Sequence, residues 1–263
     1  MRIVTWNINS LRLRLPLLAE IVAALNPDVL CLQETKVDDP LFPLDACRAL
    51  GFPHIAFHGM KSYNGVAILS RLPLSDIERP SRSGREDCRH LVARVAGIDI
   101  HCLYVPAGGD IPDADANPKF AHKLDFLAGL TRWYRDNFRP DRPMVVAGDL
   151  NIAPLETDVW SHKQLLSVVS HTPVEVAALA ELQASLDWRD AVRAFIPPEQ
   201  SLFTWWSYRS PDWRKNDRGR RLDHIWVTPA LAGSLRGALV ARECRDWTKP
   251  SDHVPVIVDL DLP

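Results

Sequence analysis

Short apolar runs recur from one end of the chain to the other, too short for helices and interleaved too regularly with helical patterns for an all-β fold. Residues 2–6, 29–32, 55–57, 66–69, 91–95, 98–104, 144–147, 202–206, 222–227, 239–242 and 254–260 read as strands, several opening on β-branched side chains such as Ile3, Val4 and Thr5. Between them lie helical stretches. Leu17, Leu18, Ile21, Val22 and Leu25 share one face behind Pro16, and Asn26-Pro27 stops that pattern. Residues 44–50 end at Gly51, and Phe120, Leu124, Leu127, Leu130 and Tyr134 mark an amphipathic helix over 118–137. Shorter helices are expected within 159–169 and 174–186. Ala96-Gly97 predicts a hairpin between two of the strands. No low-complexity linker divides the chain, so the expectation is one α/β domain over residues 1–263, built of two similar halves with mixed sheets flanked by helices.

Composition narrows the function. A chain of 263 residues that is 46% hydrophobic buries a large core, which excludes a disordered tail or linker. It holds no apolar run of about 18 residues to span a membrane. Five scattered cysteines, Cys31, Cys47, Cys88, Cys102 and Cys244, form no Cys-x-x-Cys pair, so reduced thiols in a cytoplasmic protein are expected rather than disulfides or structural zinc. The net charge of −2 argues against holding nucleic acid by overall positive charge. Locally the balance differs. Arg209, Arg214, Lys215, Arg218, Arg220 and Arg221 face only Asp212 and Asp217, beside Trp205, Trp206, Tyr208 and Trp213. Such a segment reads either as a solvated loop or as rings and guanidinium groups that stack on bases or sugars.

Polar residues gather where apolar runs end. Trp6 leads to Asn7, Leu32 to Gln33-Glu34, Ala147 to Gly148-Asp149-Leu150-Asn151 and Leu222 to Asp223, while Ser251-Asp252-His253 opens the final strand. Singly, each has an ordinary structural use as an Asx turn, a helix cap or a loop tie. Together, five strand ends converge on the crevice where open α/β sheets bind ligands. Glu34 with Asn7, Asp149 and Asp252 offers oxygen donors, which suit Mg²⁺ or Mn²⁺ rather than a soft metal. Asp223 and His253 suit a carboxylate–histidine pair whose imidazolium donates to phosphate.

The strings TWNINSLR (5–12), LQETK (32–36), YNGVAILS (63–70), YVPAG (104–108), GDLNIAP (148–154), RLDHI (221–225) and PSDHVPV (250–256) resemble, in order and spacing, the motif set of the exonuclease III family of abasic-site endonucleases. They span nearly the whole chain. The resemblance implies a four-layer fold of two mixed β-sheets packed as a sandwich, Mg²⁺ dependence, and incision 5′ to abasic sites with 3′ to 5′ exonuclease and 3′-phosphatase action on double-stranded DNA. It implies no membrane partner, and a cytoplasmic monomer is expected.

Carried over motif by motif, Glu34 is the principal metal ligand and Asn7 shapes its site, with Asp149, Asn151 and Asp252 as further metal-side residues. Asp149 orients or deprotonates the attacking water, Asn151 bonds the scissile phosphate or the water, and Tyr104 serves the transition state or leaving group. Asp223 and His253 are the phosphate-binding pair. Asn9, Arg89, Trp205 and Arg209 face DNA, with Trp205 the wall against which a flipped, base-free sugar packs, since extrusion is cheapest where no base is stacked. Trp206, its neighbour on an expected strand, points the opposite way, into the core. The chain departs from the family at Ser10, where glycine is usual, at Arg94, where an acid is usual, and in the acidic loop 109–117. Two rival readings are a catalytically weak nucleic-acid-binding regulator and a phosphodiesterase of the same superfamily acting on another ester.

Overall fold

The computed structural model describes residues 1–81, 87–210 and 212–262. Its strands are β1 (Arg2–Asn7), β2 (Val29–Gln33), β3 (His54–Met60), β4 (Tyr63–Ser70), β5 (Leu74–Glu78), β6 (His90–Val95), β7 (Ile98–Tyr104), β8 (Met144–Asp149), β9 (Arg189–Asp190), β10 (Asp223–Val227), β11 (Leu235–Val240) and β12 (Val256–Leu260). They form two six-stranded sheets, ordered β11-β12-β1-β2-β4-β3 and β5-β6-β7-β8-β10-β9. Each sheet is mixed for the same reason. A parallel pair, β1 with β2 or β7 with β8, needs a helical crossover, supplied by α1 (Leu15–Leu25) in the first sheet and, following α2 (Leu44–Ala49), by α3 (Pro118–Asn137) in the second. The other strands join antiparallel, which gives two halves of similar plan.

Strand periodicity builds the layers. Successive side chains point to opposite faces, so Ile3, Val29, Cys31 and Ile68 meet Ala93, Ile100, Val145 and Ile225 of the other sheet in a central apolar core. The alternate residues Val4, Trp6, Leu30 and Leu32 pack outward against the α1 stripe of Leu17, Leu18, Ile21, Val22 and Leu25. On the far side Leu103, Val105 and Val146 pack against Phe126, Leu127, Leu130 and Tyr134 of α3. The order is therefore helix, sheet, sheet, helix, as expected for the sandwich. Ala96 and Gly97 adopt φ of 48° and 81°, the left-handed pair that a two-residue hairpin between β6 and β7 requires.

Several sequence expectations need correction. Residues 202–206 are not a strand: the segment makes only isolated bridges, Trp205 with Arg220 and Trp205 with His253, because it crosses the sheet ends instead of lying along an edge. Strand β5 escaped notice because its residues are mostly exposed and polar, as befits an edge. The helix expected within 159–169 is present as a single turn, His162–Leu165, here α4. The run expected at 239–242 lies earlier, at Leu235–Val240, with Arg242 already in a 3₁₀ turn, and the last strand opens at Val256.

Candidate active site

Strand direction brings the polar ends together. Because β1 and β2 are parallel, Asn7 stands in register with Gln33, and Glu34 follows at once. Because β12 runs against β1, residues 251–253 enter at the same end. In the other sheet Tyr104 is in register with Asp149, and Asp149 with Asp223. Both clusters open at one mouth of the sandwich. The residues that carry them out of the strands hold left-handed backbones: φ is 51° at Glu34, 53° at Asn151, 47° at Asn9 and 51° at Lys36, a cost of about 1 kcal/mol each or more that marks sites where geometry is specified.

Asn7 couples the sheets. Its Nδ2 donates to Glu34 Oε1 and to Asp149 Oδ2, both at 2.9 Å, while its Oδ1 accepts the Asn9 N–H. Glu34 Oε1 also accepts the Tyr104 hydroxyl at 2.7 Å, and Glu34 Oε2 meets Lys36 Nζ at 2.7 Å. Burial alone would raise the Glu34 carboxyl; Asn7, Lys36 and Tyr104 outweigh it and hold it below the usual range. Burial, then the neighbouring Glu34 and Asp149 charges, push the Tyr104 phenol well up, so it stays a neutral donor.

Opposite lies a triad. His253 Nδ1 sits 2.8 Å from Asp223 Oδ2, which Thr204 Oγ1 also reaches at 2.6 Å, and His253 Nε2 lies 3.6 Å from Asp149 Oδ2. Burial pulls the imidazole down, but the Asp223 and Asp149 charges overcome it and raise His253 to about 10, an imidazolium at neutral pH. Asp149 is driven the other way from an ordinary carboxylate, up to about 7, by burial first and by Asp223 and Glu34 against the opposing pull of His253 and Asn7. Its Oδ1 accepts the Asn151 N–H at 2.9 Å, while Asn151 Nδ2 donates to Val105 O.

The donor set fits a hard cation. Carboxylate oxygens of Glu34 and Asp149 are held together through Asn7 at 2.9 Å each, and Asp223 Oδ1 is buried with no hydrogen-bond partner, whereas His253, an imidazolium, has no lone pair to offer a metal. Beside Glu34, an ammonium already shows the preferred charge: Lys36 Nζ bridges Glu34 Oε2 and Asn9 Oδ1. Asp252 is drawn aside, accepting from Asn9 Nδ2 and Trp205 Nε1 at 3.0 Å each, which with His253 keeps its carboxyl low against burial. It reaches Glu34 only through Asn9 and Lys36.

A cavity of about 780 Å³ opens beside this cluster, lined among others by Tyr104, Asn151, Trp160, Trp205, Leu222 and His253. Trp205 is half-buried in its wall, whereas Trp206 is core, as expected. Arg209 stands exposed at the rim. Arg89 is mostly buried, pairs with Asp87 at 2.8 Å and lies 4.7 Å over the Tyr104 ring, so it braces Tyr104 and lines a second cavity beside the first. The basic segment divides: Arg221 is fully buried between Asp158 and Asp190, Arg214 pairs outward with Asp246, and Arg218 and Arg220 line the cavity. Ser10 has φ of 88°, which explains why glycine is usual there, and Arg94 pairs with Asp99 on the second sheet, away from the site.

Sequence reasoning missed three groups. Thr204 was hidden in an expected strand. Lys36 stands within the LQETK motif with no role assigned from sequence. Lys123 lies inside an amphipathic pattern, yet it is fully buried, with Nζ on Glu175 Oε1, on Asn151 O at 2.8 Å and on Ala107 O at 3.2 Å.

Comparison with known proteins identifies the family of the chain. The model of the Endonuclease/Exonuclease/phosphatase family matches residues 4–253. An exodeoxyribonuclease III from Haemophilus influenzae is 32% identical over 97% of this chain and 98% of its own. Two solved structures cover both chains completely: an AP endonuclease from Archaeoglobus fulgidus, TM-score 0.92 at 32% identity, and a 3′ phosphatase from Neisseria bound to product DNA hairpin, TM-score 0.91 at 34%. With that match and the exodeoxyribonuclease relative aligned end to end, the chain belongs to the endonuclease/exonuclease/phosphatase family, in its exonuclease III branch.

Proposed function

We propose that this phosphodiester hydrolase is a DNA repair nuclease that cuts on the 5′ side of abasic sites in double-stranded DNA and removes nucleotides and phosphate from 3′ ends. The three reactions share one chemistry. Each breaks a P–O3′ bond by water attack on phosphorus and leaves a 3′-hydroxyl, so one centre serves them all.

Glu34 and Asn7, with Asp149 and Asn151 around them and Asp252 acting from behind through Asn9, would hold Mg²⁺ or Mn²⁺, which when bound neutralises phosphate charge and acidifies water. The chain's own groups do the rest. Asp149, raised to about 7 by burial, is poised to take the proton of the attacking water at neutral pH. His253, held as an imidazolium by Asp223, donates to a non-bridging oxygen as charge develops there. Asn151, fixed through its own N–H to Asp149, orients the water or phosphate. Tyr104 offers a neutral hydroxyl to the leaving O3′. Trp205 walls the cavity that takes the extruded sugar, and Asn9, Arg89 and Arg209 flank the DNA path.

The observation that carries this reading is the Asn7 bridge, which ties Glu34 to the Asp149–His253–Asp223 triad at the lip of a cavity walled by tryptophan. Since both sheets contribute, residues 1–263 act as one catalytic unit, and we assign a monomer working on cytoplasmic DNA. Among the described residues no helix is long and apolar enough to cross a membrane. The test is a labelled duplex carrying one abasic analogue, incubated with Mg²⁺ or with EDTA. Incision 5′ to the lesion, abolished by EDTA and by Asp149→Asn, is expected. Binding without cutting in either Mg²⁺ or Mn²⁺ would leave a nucleic-acid-binding regulator instead.

A further inference from the structure

The cavity that receives the sugar is not a plain apolar slot. Trp160, Val168, Val169, Trp205 and Leu222 line it, but so does Arg220, whose guanidinium lies 5.3 Å over the Trp205 ring. Its Nη1 donates to Val169 O at 2.9 Å and to Ser170 Oγ at 2.8 Å. Its Nε is buried without a hydrogen-bond partner, and among the described residues no carboxylate comes within ion-pair distance of it. Half-buried positive charge with so little compensation is expensive, and burial accordingly pulls the group down from its usual pKa, although a guanidinium remains charged. Ser170, which helps hold it, carries φ of 90°, a backbone that favours glycine. Among the described residues Nη2 has no hydrogen bond and, unlike Nε, is not enclosed, so it is the donor that a ligand in the cavity can reach.

An abasic nucleotide in this cavity has few polar atoms. His253 and Asn151 at the lip face its phosphate. What remains inside is the ring oxygen, present in every deoxyribose, and the hydroxyl on C1′ that replaces the lost base. A pocket of tryptophan, leucine and valine gains nothing from that hydroxyl, whereas a pocket built to hydrogen-bond it discriminates against a sugar lacking it.

We propose that Arg220 is a specificity-determining residue of the sugar pocket, which donates to the C1′ hydroxyl oxygen of an authentic abasic deoxyribose and so separates it from a sugar bearing hydrogen at C1′. This rests on reading the cavity as the seat of the extruded sugar.

The experiment compares kcat/KM for two duplexes, one with an authentic abasic site and one with its tetrahydrofuran analogue, in the wild type, Arg220→Leu and Ser170→Gly. One charge-assisted hydrogen bond corresponds to a wild-type preference of about tenfold or more for the authentic site. That ratio falls to near one in Arg220→Leu. It falls in the same direction in Ser170→Gly, which removes an acceptor that orients Arg220 while relieving the backbone. A purely structural role for Arg220 slows both duplexes alike and leaves the ratio at its wild-type value, which would overturn the proposal, as would a wild-type ratio near one. A wild type that cuts neither duplex with Mg²⁺ or Mn²⁺ removes the nuclease reading, and this inference with it.

Discussion

Replacing Lys123 by methionine tests how the site is held from below. The side chain is fully buried, and its ammonium ties three segments together: the Ala107 carbonyl of the YVPAG loop, the Asn151 carbonyl of the GDLNIAP loop, and Glu175 at the third position of α5 (Pro173–Ala184). Methionine keeps the volume and removes the charge, which strands the Glu175 carboxylate in the interior. Breaking one partner of a buried pair costs about 3–5 kcal/mol. Glu175 retains the N–H groups of Ser170 and Thr172 and the Thr172 hydroxyl, so the lower end, about 3 kcal/mol, is expected. Urea unfolding reads that loss directly. The double variant Lys123→Met/Glu175→Leu no longer buries a lone charge and is expected to be more stable than Lys123→Met alone, a positive coupling in a double-mutant cycle. Incision should fall about tenfold or more in both, since Asn151 loses its tie. A Lys123→Met variant within about 1 kcal/mol of wild type, or additive single changes, would refute the argument.

Further consequences follow from the same structure. The His253 pKa is raised from 6.5 to about 10 in the folded protein, so its ion pair contributes fully below about pH 6.5 and is lost as pH rises through 10; wild type should lose stability over that alkaline range while His253→Gln does not, as read by unfolding at each pH. His224 has the opposite sign, lowered to about 3 by burial first and by Arg221, so its contribution is present above pH 6.5 and drains away as pH falls, and His224→Gln should flatten the acid limb of the same curve. Ser10→Gly, which relieves a φ of 88°, should stabilise the fold by about 0.5–1 kcal/mol in urea without changing the metal requirement of incision. Arg221→Met, which leaves Asp158 and Asp190 short of a buried partner, should cost about 3 kcal/mol, less if Arg193 compensates at Asp158.

The parts of this molecule that could be read without a structure are those governed by local pattern. Alternation in β1 and β7, the stripe of α1 and the positive-φ hairpin at Ala96-Gly97 each follow from neighbours in sequence. So does the gathering of Asn7, Glu34, Tyr104, Asp149 and Asp223 at one mouth, because each ends or begins a strand and strand direction decides the rest. The Asp223–His253 contact was expected from residue type and is present. What escaped depended on tertiary partners. Nothing local shows that Lys123 is buried while its neighbour Leu124 is only partly so, or that Arg220 turns inward while Arg214 turns out. Residues 202–206 look like a strand because leucine, phenylalanine and tryptophan suit one, yet their hydrogen bonds go to Arg220, Asp252 and Val254 from the ends of other elements. Arg89 shows the same limit, since the sequence offers it as a DNA contact while neither its stacking over Tyr104 nor its pairing with Asp87 is visible there.

On the proposed function, one centre hydrolyses P–O3′ bonds in every DNA substrate of this chain. The most direct test of this measures, in parallel, incision of an abasic duplex and release of inorganic phosphate from a 3′-phosphorylated primer–template, with wild type, Asp149→Asn and His253→Gln in Mg²⁺. Both activities are expected to require the metal and to fall together in each variant, by factors of about a hundred or more for loss of the base. Survival of either activity in Asp149→Asn while the other disappears would contradict it, and would mean that a second centre performs the surviving reaction.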